Sequence, residues 1–123
     1  MTELRDYKLF KHLDDEKFKL LSSFLQKKHY TKGSVLFYEK DIPTSLTLLI
    51  EGVLKVYKTD LKNNEIIMHR FQPTTMVAEM AVLEGIPYPA SAAFETDGTV
   101  IEINFEKFKN EFLSDKNIAL EMF

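Results

Sequence analysis

Side chains able to do chemistry are few and widely scattered in this 123-residue chain. The three histidines, His12, His29 and His69, lack metal-binding spacings such as H-x-x-x-H. Cysteine is absent, which removes disulfides, thiolate zinc sites, cysteine nucleophiles and cysteine-ligated iron–sulfur clusters. A glycine-rich phosphate loop and a G-x-S-x-G elbow are also missing. With no catalytic constellation, the sequence predicts a protein that is not an enzyme.

His69 is the titratable residue best suited to contact a ligand. In a strand, Ile67, His69 and Phe71 share one face, so His69 points inward if that face is interior. Three interpretations stay open: a structural histidine bonded to a carbonyl or carboxylate, a pocket residue, or an axial ligand of haem. The neighbouring carboxylates Asp14 and Asp15 are typical of a helix start and not of an acid–base pair.

Composition and charge narrow the classes of partner. The formal net charge is -3, which is a poor match to a phosphate backbone, so this chain alone is not expected to hold nucleic acid. No apolar run approaches the roughly 20 residues that span a bilayer, and the N-terminus does not look like a signal peptide. We therefore expect a cytoplasmic protein with no membrane partner.

Hydrophobic spacing predicts helices at both ends of the chain and strands between them. Phe18, Leu21, Phe24 and Leu25 recur at helical spacing, which predicts a helix over residues 14–28. Short apolar segments separated by turn residues over 30–103 predict an antiparallel sandwich or barrel. Hairpin tips are predicted at 63–64 and at 96–98, and a brief helical turn at 79–83. The irregular, proline-containing run at 76–89 is where we expect a site.

Two more helices are predicted at the C-terminal end, over 105–113 and 116–123. Phe105, Phe108 and Phe112 share a helical face, and Asn104 can cap the first of these helices. The chain stops inside an apolar pattern at 118–123 without a C-cap, which leads us to expect that more chain follows. Length and pattern together predict one domain over 1–123.

Several local motifs carry a family resemblance. The pentapeptide Gly33-Ser34-Val35-Leu36-Phe37 has the form G-x-x-[apolar]-[aromatic]. Residues 41–56 follow the pattern D-x-P…I-x-x-G-x-[VL]-K-[VL], and 64–80 align without gaps on a stretch that ends F-x-G-E-[LM]. Together they resemble the sensor domain of the Crp/Fnr family of bacterial transcription regulators. In that family, residues 117–123 would begin the dimerisation helix.

The resemblance implies a mainly β fold, a double-stranded β-helix or jelly roll like that of cyclic-nucleotide-binding domains, with flanking N- and C-terminal helices. In the nucleotide binders a glutamate holds the ribose, backbone N–H groups receive the phosphate and an arginine neutralises it. Glu79 matches the glutamate, and Ala78 stands where the family usually has glycine. The arginine is missing, because residues 86–92 contain no basic side chain and the chain's two arginines are Arg5 and Arg70.

A missing charge-assisted contact costs about 1.5–3 kcal/mol, or about one to two decades in affinity. The resemblance therefore implies a ligand-sensing regulatory domain that does not use cyclic AMP. A haem or gas sensor, a sensor of a small organic molecule, and a domain that has lost its ligand stay open. The mostly apolar, Met-rich lining suits a hydrophobic ligand, although it could equally be ordinary core. The residues implied for the pocket are His69, Phe71, Met76, Val77, Ala78, Glu79, Met80, Tyr88, Ala90 and Ser91.

The expected partners are a small-molecule effector or none, a second copy of the chain through the C-terminal helix, and DNA through a domain that this chain does not contain. The effector would act by shifting a population of conformations. Two alternatives belong to other classes. One is a stand-alone module that binds a small molecule or a cyclic-nucleotide-like ligand. The other is a cupin-type metalloenzyme, which would need two or three clustered histidines and a carboxylate.

Overall fold

Short strands broken by glycines and polar turns build most of this computed structural model, which describes residues 15–108 and 110. Eight strands and three short helices lie within those residues. In chain order they are α1 (Asp15–Ser22), β1 (Leu25–Tyr30), β2 (Val35–Phe37), β3 (Ser45–Glu51), β4 (Leu54–Thr59), β5 (Glu65–Phe71), β6 (Thr75–Val77), α2 (Glu79–Glu84), β7 (Ser91–Phe94), β8 (Gly98–Asn104) and α3 (Phe105–Phe108).

The strands form two antiparallel four-stranded sheets, and the chain passes between them repeatedly. The first sheet has the order β1-β8-β3-β6 and the second β2-β7-β4-β5. Crossing between sheets at most connections is the arrangement of a jelly roll, which pairs strands that are distant in sequence. The predicted mainly β, jelly-roll fold is therefore confirmed.

The first sheet is buried on both faces, because apolar side chains point to both sides of its strands. On one face, Ile101 and Ile103 of β8 pack with Leu46 and Phe108 in a cluster that partly buried side chains of α1 and α3 complete. On the other face, Val100 joins the cluster between the sheets. The space between the two sheets is therefore one layer of the core, and it is where the cavities described below lie.

Two glycines let the chain change sheets twice at the same place. Gly52 lies between β3 and β4 with φ 92, and Gly98 begins β8. A Cβ on Gly52 would lie 2.5 Å from the carbonyl oxygen of Asp97 and 2.8 Å from Cα of Gly98. The two crossings are also hydrogen-bonded, since Glu95 N–H donates to the Val53 carbonyl at 2.9 Å. The contact requires that neither glycine carries a side chain.

The helix predicted over 14–28 is shorter in the structure, and its last third is a strand. Helix α1 ends at Ser22, where the Ser22 hydroxyl donates to the Phe18 carbonyl at 2.9 Å and Ser23 N–H donates to Leu20 at 3.1 Å. Serine side chains that bond the last turn favour helix ends. Residues 25–30 instead pair with β8 as β1, because β8 offers a full ladder of backbone partners.

The hairpin predicted at 63–64 is confirmed, whereas the one predicted at 96–98 is wrong. At the first tip, Asn63 has φ 63, and the Asp60 carboxylate accepts from the N–H groups of Lys62 at 2.8 Å and Asn64 at 2.9 Å. At the second, β7 and β8 do not pair with each other, because β7 joins β2 and β4 while β8 joins β1 and β3. The Asp97-Gly98 dipeptide thus marks a crossing between sheets.

The remaining helix predictions are partly outside the described residues. Asn104 caps α3 as expected, since its Oδ1 accepts from Lys107 N–H at 3.1 Å. Residues 1–14, 109 and 111–123 lie outside the description, and with them the helix predicted at 116–123 and most of 105–113 beyond α3. None of the helices in the described part of the chain is long and apolar enough to cross a membrane.

Replacing Gly52 with alanine is expected to destabilise the fold far more than replacing Gly33. Both glycines have φ near +90, but a Cβ at Gly33 meets nothing within 4 Å. We expect Gly33→Ala to cost about 1–2 kcal/mol from backbone strain alone. Gly52→Ala adds a clash with immobile backbone and is expected to cost about 3 kcal/mol or more. Urea unfolding measures both, and equal losses would contradict the close-contact role of Gly52.

Candidate functional site

An apolar cavity of about 200 Å³ lies between the two sheets. Strands β2, β4, β5 and β6 each supply one side chain, and the segments flanking α2 supply the rest. The lining surface is contributed by apolar atoms alone. Its residues are Phe37, Val56, Phe71, Val77, Ala78, Pro89 and Ala90.

The segment around α2 is held in place by two left-handed residues. Ala78, immediately before the helix, has φ 52 and ψ 36, and Gly85 after it has φ 67. The left-handed region is unfavourable for alanine by about 1–2 kcal/mol, so the turn into α2 is strained. The Ile86 N–H closes the helix by donating to the Ala81 carbonyl at 3.0 Å. Ala78, in this conformation, lines the cavity.

The rings of Phe37 and Tyr88 stack in parallel, with centroids 3.7 Å apart and an interplanar angle of 5°. The backbone of Tyr88 is fixed as well, because its N–H donates to the Asp41 carbonyl and its carbonyl accepts from Lys40 N–H, each at 2.9 Å. Burial raises the pKa of Tyr88 to about 12, and the carboxylates of Glu102 and Asp41 add to the rise. The phenol is therefore neutral throughout the physiological range.

The structure brings together four of the ten residues predicted for the pocket. Phe71, Val77, Ala78 and Ala90 line the apolar cavity. All four either end a strand or flank α2, the irregular segment in which the sequence predicted a site. Whether they bind a ligand stays a prediction.

Five other predicted residues lie elsewhere. Met76 faces the helix-covered side of its sheet with Val82, and Met80 is largely exposed on α2. Glu79 begins α2, half-buried and outside the cavity lining. The Ser91 hydroxyl accepts from Glu39 N–H at 2.8 Å, and Tyr88 borders a different, polar cavity. The direction in which each of these side chains points depends on the alternation of its strand or on the rotation of α2 about its axis. Residue types alone do not determine either of them.

His69, the tenth residue, is exposed and lies outside the lining of the cavity. Strand β5 is a sheet edge, and it pairs with β4 through a bulge at which Val56 faces His69 but Tyr57 faces Ile67. The prediction that Ile67, His69 and Phe71 share one face is wrong, because the extra residue at the bulge moves Ile67 to the other face. His69 packs edge-on against Phe71 with ring centroids 4.6 Å apart.

The side chain of Arg70 is engaged at the surface and does not reach the cavity. Its Nε donates to Glu95 Oε1 at 2.7 Å, and this ion pair raises the pKa of Arg70 and lowers that of Glu95. The cavity lining contains no charged residue. Within residues 15–108 and 110, no group of three or more His, Asp or Glu side chains could hold a metal ion.

Three lining residues were missed by the sequence reasoning: Phe37, Val56 and Pro89. Phe37 closes the motif that begins at Gly33, and Val56 alternates with buried Leu54, so both carried a detectable signal. Pro89 lies inside the stretch that lacks the expected arginine. An apolar proline thus occupies the cavity wall in the segment where the nucleotide binders have their cation.

The structure is a small β-roll with an apolar cavity beside α2. A sequence profile of the family described as cyclic nucleotide-binding domain matches residues 27–115. The chain belongs to the cyclic nucleotide-binding domain family.

Known relatives agree with that membership. The cyclic AMP receptor protein of Thermus thermophilus is 26% identical over 106 residues, which are 86% of this chain and 47% of the relative. The chain thus spans about half the length of that relative. DNR from Pseudomonas aeruginosa shares the fold with a TM-score of 0.85 at 19% identity, over 98% of this chain and 54% of that chain. The N-terminal domain of a transcriptional regulator from Streptomyces coelicolor A3(2) matches with a TM-score of 0.81 at 22% identity, over 97% of this chain and 83% of that chain.

Tyr88 is expected to titrate about two pH units above an ordinary tyrosine, near pH 12. Because the native pKa is raised, the unfolded state loses its proton first, so stability should fall as the pH rises from about 10 to about 12. Ultraviolet titration of the phenolate and unfolding curves across this range measure the two effects. The pKa of Tyr30 is also raised by burial, so a smaller high-pH component is expected to remain in every Tyr88 variant. Tyr88→Phe should remove the component near pH 12, while Tyr38→Phe, at an exposed site, should leave it. A component near pH 12 of unchanged size in Tyr88→Phe would contradict the assignment.

Proposed function

We propose that this domain senses a small apolar molecule held in the cavity beside α2, and that it does not use cyclic AMP by the arginine-dependent mechanism. The observation that carries the proposal is the all-apolar lining, with Pro89 and Ala90 at the wall where a phosphate would need a cation. The whole protein would be a regulator of transcription of the Crp/Fnr type.

The absence of a cation from the lining bears directly on nucleotide binding. A phosphate that leaves water needs charged or strongly polar partners, and an apolar wall supplies none. Arg70, the one described arginine, is already paired with Glu95 at the surface. Binding a cyclic nucleotide in this cavity would therefore require the phosphate to be desolvated without compensation.

The size and lining of the cavity favour a compact hydrophobic ligand. An apolar cavity of about 150 Å³ is known to hold benzene or xenon, and this one measures about 200 Å³. The volume lies below the roughly 300–1,000 Å³ of drug-sized sites, and a porphyrin does not fit it. A single ring or a short branched chain matches the space and gains affinity from burial of apolar surface.

The regulatory part of the proposal rests on the family and on charge. The relatives include a cyclic AMP receptor protein and DNR, and the described residues contain no group of three or more side chains that could hold a metal ion. With a net charge of -3, contact with DNA would be made by a separate segment, and the copies would pair through residues 117–123. Ligand occupancy beside α2 would favour one arrangement of that pair.

Installing a cation at the cavity wall is expected to create affinity for cyclic AMP. Calorimetric titration of the full chain should show no binding at micromolar nucleotide, and Pro89→Arg should improve affinity by about one to two decades. Pro87→Arg is the matched control, because Pro87 is exposed and lies outside the lining. Tight binding by the unmodified chain, or equal effects of the two substitutions, would contradict the proposal.

The apolar cavity itself is tested with toluene as the probe. In two-dimensional NMR spectra, toluene is expected to shift the amide signals of lining residues such as Val77 and Ala90. Ala90→Leu should fill the cavity and reduce these shifts at least about fivefold, whereas Met80→Leu, at an exposed position, should not. Shifts spread over the surface, or undiminished in Ala90→Leu, would show that the cavity is not a binding site.

A further inference from the structure

A second cavity of about 320 Å³ lies on the other side of the Phe37–Tyr88 stack. Phe37 borders both cavities, but the second is lined mainly by polar atoms. One wall is formed by β1, β8 and β3, and the other by β2, the loop after it and Tyr88. Its lining residues with side chains that can hydrogen-bond are Lys28, Tyr30, Asp41, Thr44, Ser45, Thr47, Tyr88 and Glu102.

Two hydroxyl groups in this cavity are buried without a hydrogen-bond partner among the described residues. Thr47 is 5% exposed and Tyr88 is 8% exposed. Among the other buried hydroxyls, Ser91 accepts from Glu39 N–H and Thr99 bonds His29 at 2.9 Å, whereas Tyr57, which lies outside this cavity, also has no hydrogen-bond partner among the described residues. A buried hydroxyl that lacks a partner costs free energy, which a bound group with complementary donors or acceptors recovers. Both hydroxyls lie on the wall of the same cavity.

The fixed charges in the cavity sum to one negative charge. Lys28 Nζ lies 2.9 Å from Glu102 Oε2, so the single cation is already paired. Asp41 is the second carboxylate, and its Oδ2 accepts from Tyr38 N–H at 3.1 Å. Burial raises the pKa of Tyr30, and the nearby Glu102 carboxylate raises it further, as expected in a negative field. Among the described residues, Asp41 is therefore the charged group of the cavity that has no ion-pair partner.

We propose that this polar cavity binds a small organic ammonium ion. An ammonium group is a point donor of hydrogen bonds, and it matches both the hydroxyl and the carboxylate oxygens, whereas the carboxylates repel an anion. The rings of Tyr30 and Tyr88 add aromatic surface of the kind that attracts organic cations. A bare metal ion is less suitable, because the described residues contain no cluster of three ligating side chains. The volume fits a chain of a few carbon atoms.

Three probes of similar shape but different charge test the proposal on the full chain. The probes are 4-aminobutan-1-ol, butane-1,4-diol and 4-hydroxybutyrate, which carry positive, zero and negative charge on similar frames. We expect affinity to fall in that order, with the cation at least about tenfold tighter than the anion. Amide shifts in two-dimensional NMR should concentrate at Thr47, Tyr88 and Glu102. Equal affinity for all three probes, or preference for the diol, would overturn the ammonium assignment.

Substitutions at the cavity separate binding from folding. Glu102→Gln is expected to weaken the cation at least about fivefold, whereas Glu65→Gln, which alters the separate Lys55–Glu65 ion pair outside the cavity, should leave affinity unchanged. Asp41→Asn provides a second test should Glu102→Gln fold poorly. Unchanged affinity in both cavity variants would refute the site.

Thr47→Val gives a signature that a purely structural hydroxyl would not show. Removing an unpartnered buried hydroxyl should raise the melting temperature of the free protein and, at the same time, weaken the ammonium probe severalfold. A lower melting temperature would mean that the hydroxyl is satisfied in the free fold. Undiminished binding would mean that Thr47 does not contact the ligand. Either result would contradict the role given to Thr47.

Discussion

The close contact of Gly52 with the backbone at Asp97 and Gly98 is the constraint on which the two-sheet arrangement depends. At this place the chain passes from β3 to β4 and from β7 to β8, each time leaving one sheet for the other. Without side chains at these positions, the two crossings approach within van der Waals distance, and the Glu95–Val53 hydrogen bond joins them. The contact therefore fixes the two crossings against each other at one end of the sheets.

The space between the sheets is divided by a second contact, the Phe37–Tyr88 stack. On one side Phe71, Val77 and Ala90 leave an apolar cavity, and on the other Thr47 and Glu102 leave a polar one. The Tyr88 side chain suits both environments, since the apolar face of its ring packs on Phe37 while its hydroxyl borders polar groups. In this domain, the Phe37–Tyr88 ring pair thus separates an apolar cavity from a polar one.

The segment around α2 combines a strained backbone with an apolar wall. Ala78 adopts the left-handed conformation immediately before α2, although alanine is strained where glycine would not be. Glu79 begins the helix, and Pro89 and Ala90 line the apolar cavity beside it. One fold can hold different ligands, because packing sets the backbone and a few side chains set the chemistry.

Much of this protein is determined by local sequence. Short apolar segments between turn residues located β3, β4 and β8, and Asn63-Asn64 predicted the hairpin between β4 and β5. Tertiary structure decided what depends on distant partners. Residues 25–30 form a strand because they pair with β8, the Asp97-Gly98 turn is a crossing between sheets, and a bulge in β5 places Ile67 on the opposite face from His69 and Phe71. The physical reason is that strand pairing and register are contacts between residues far apart in the chain, so local spacing does not encode them.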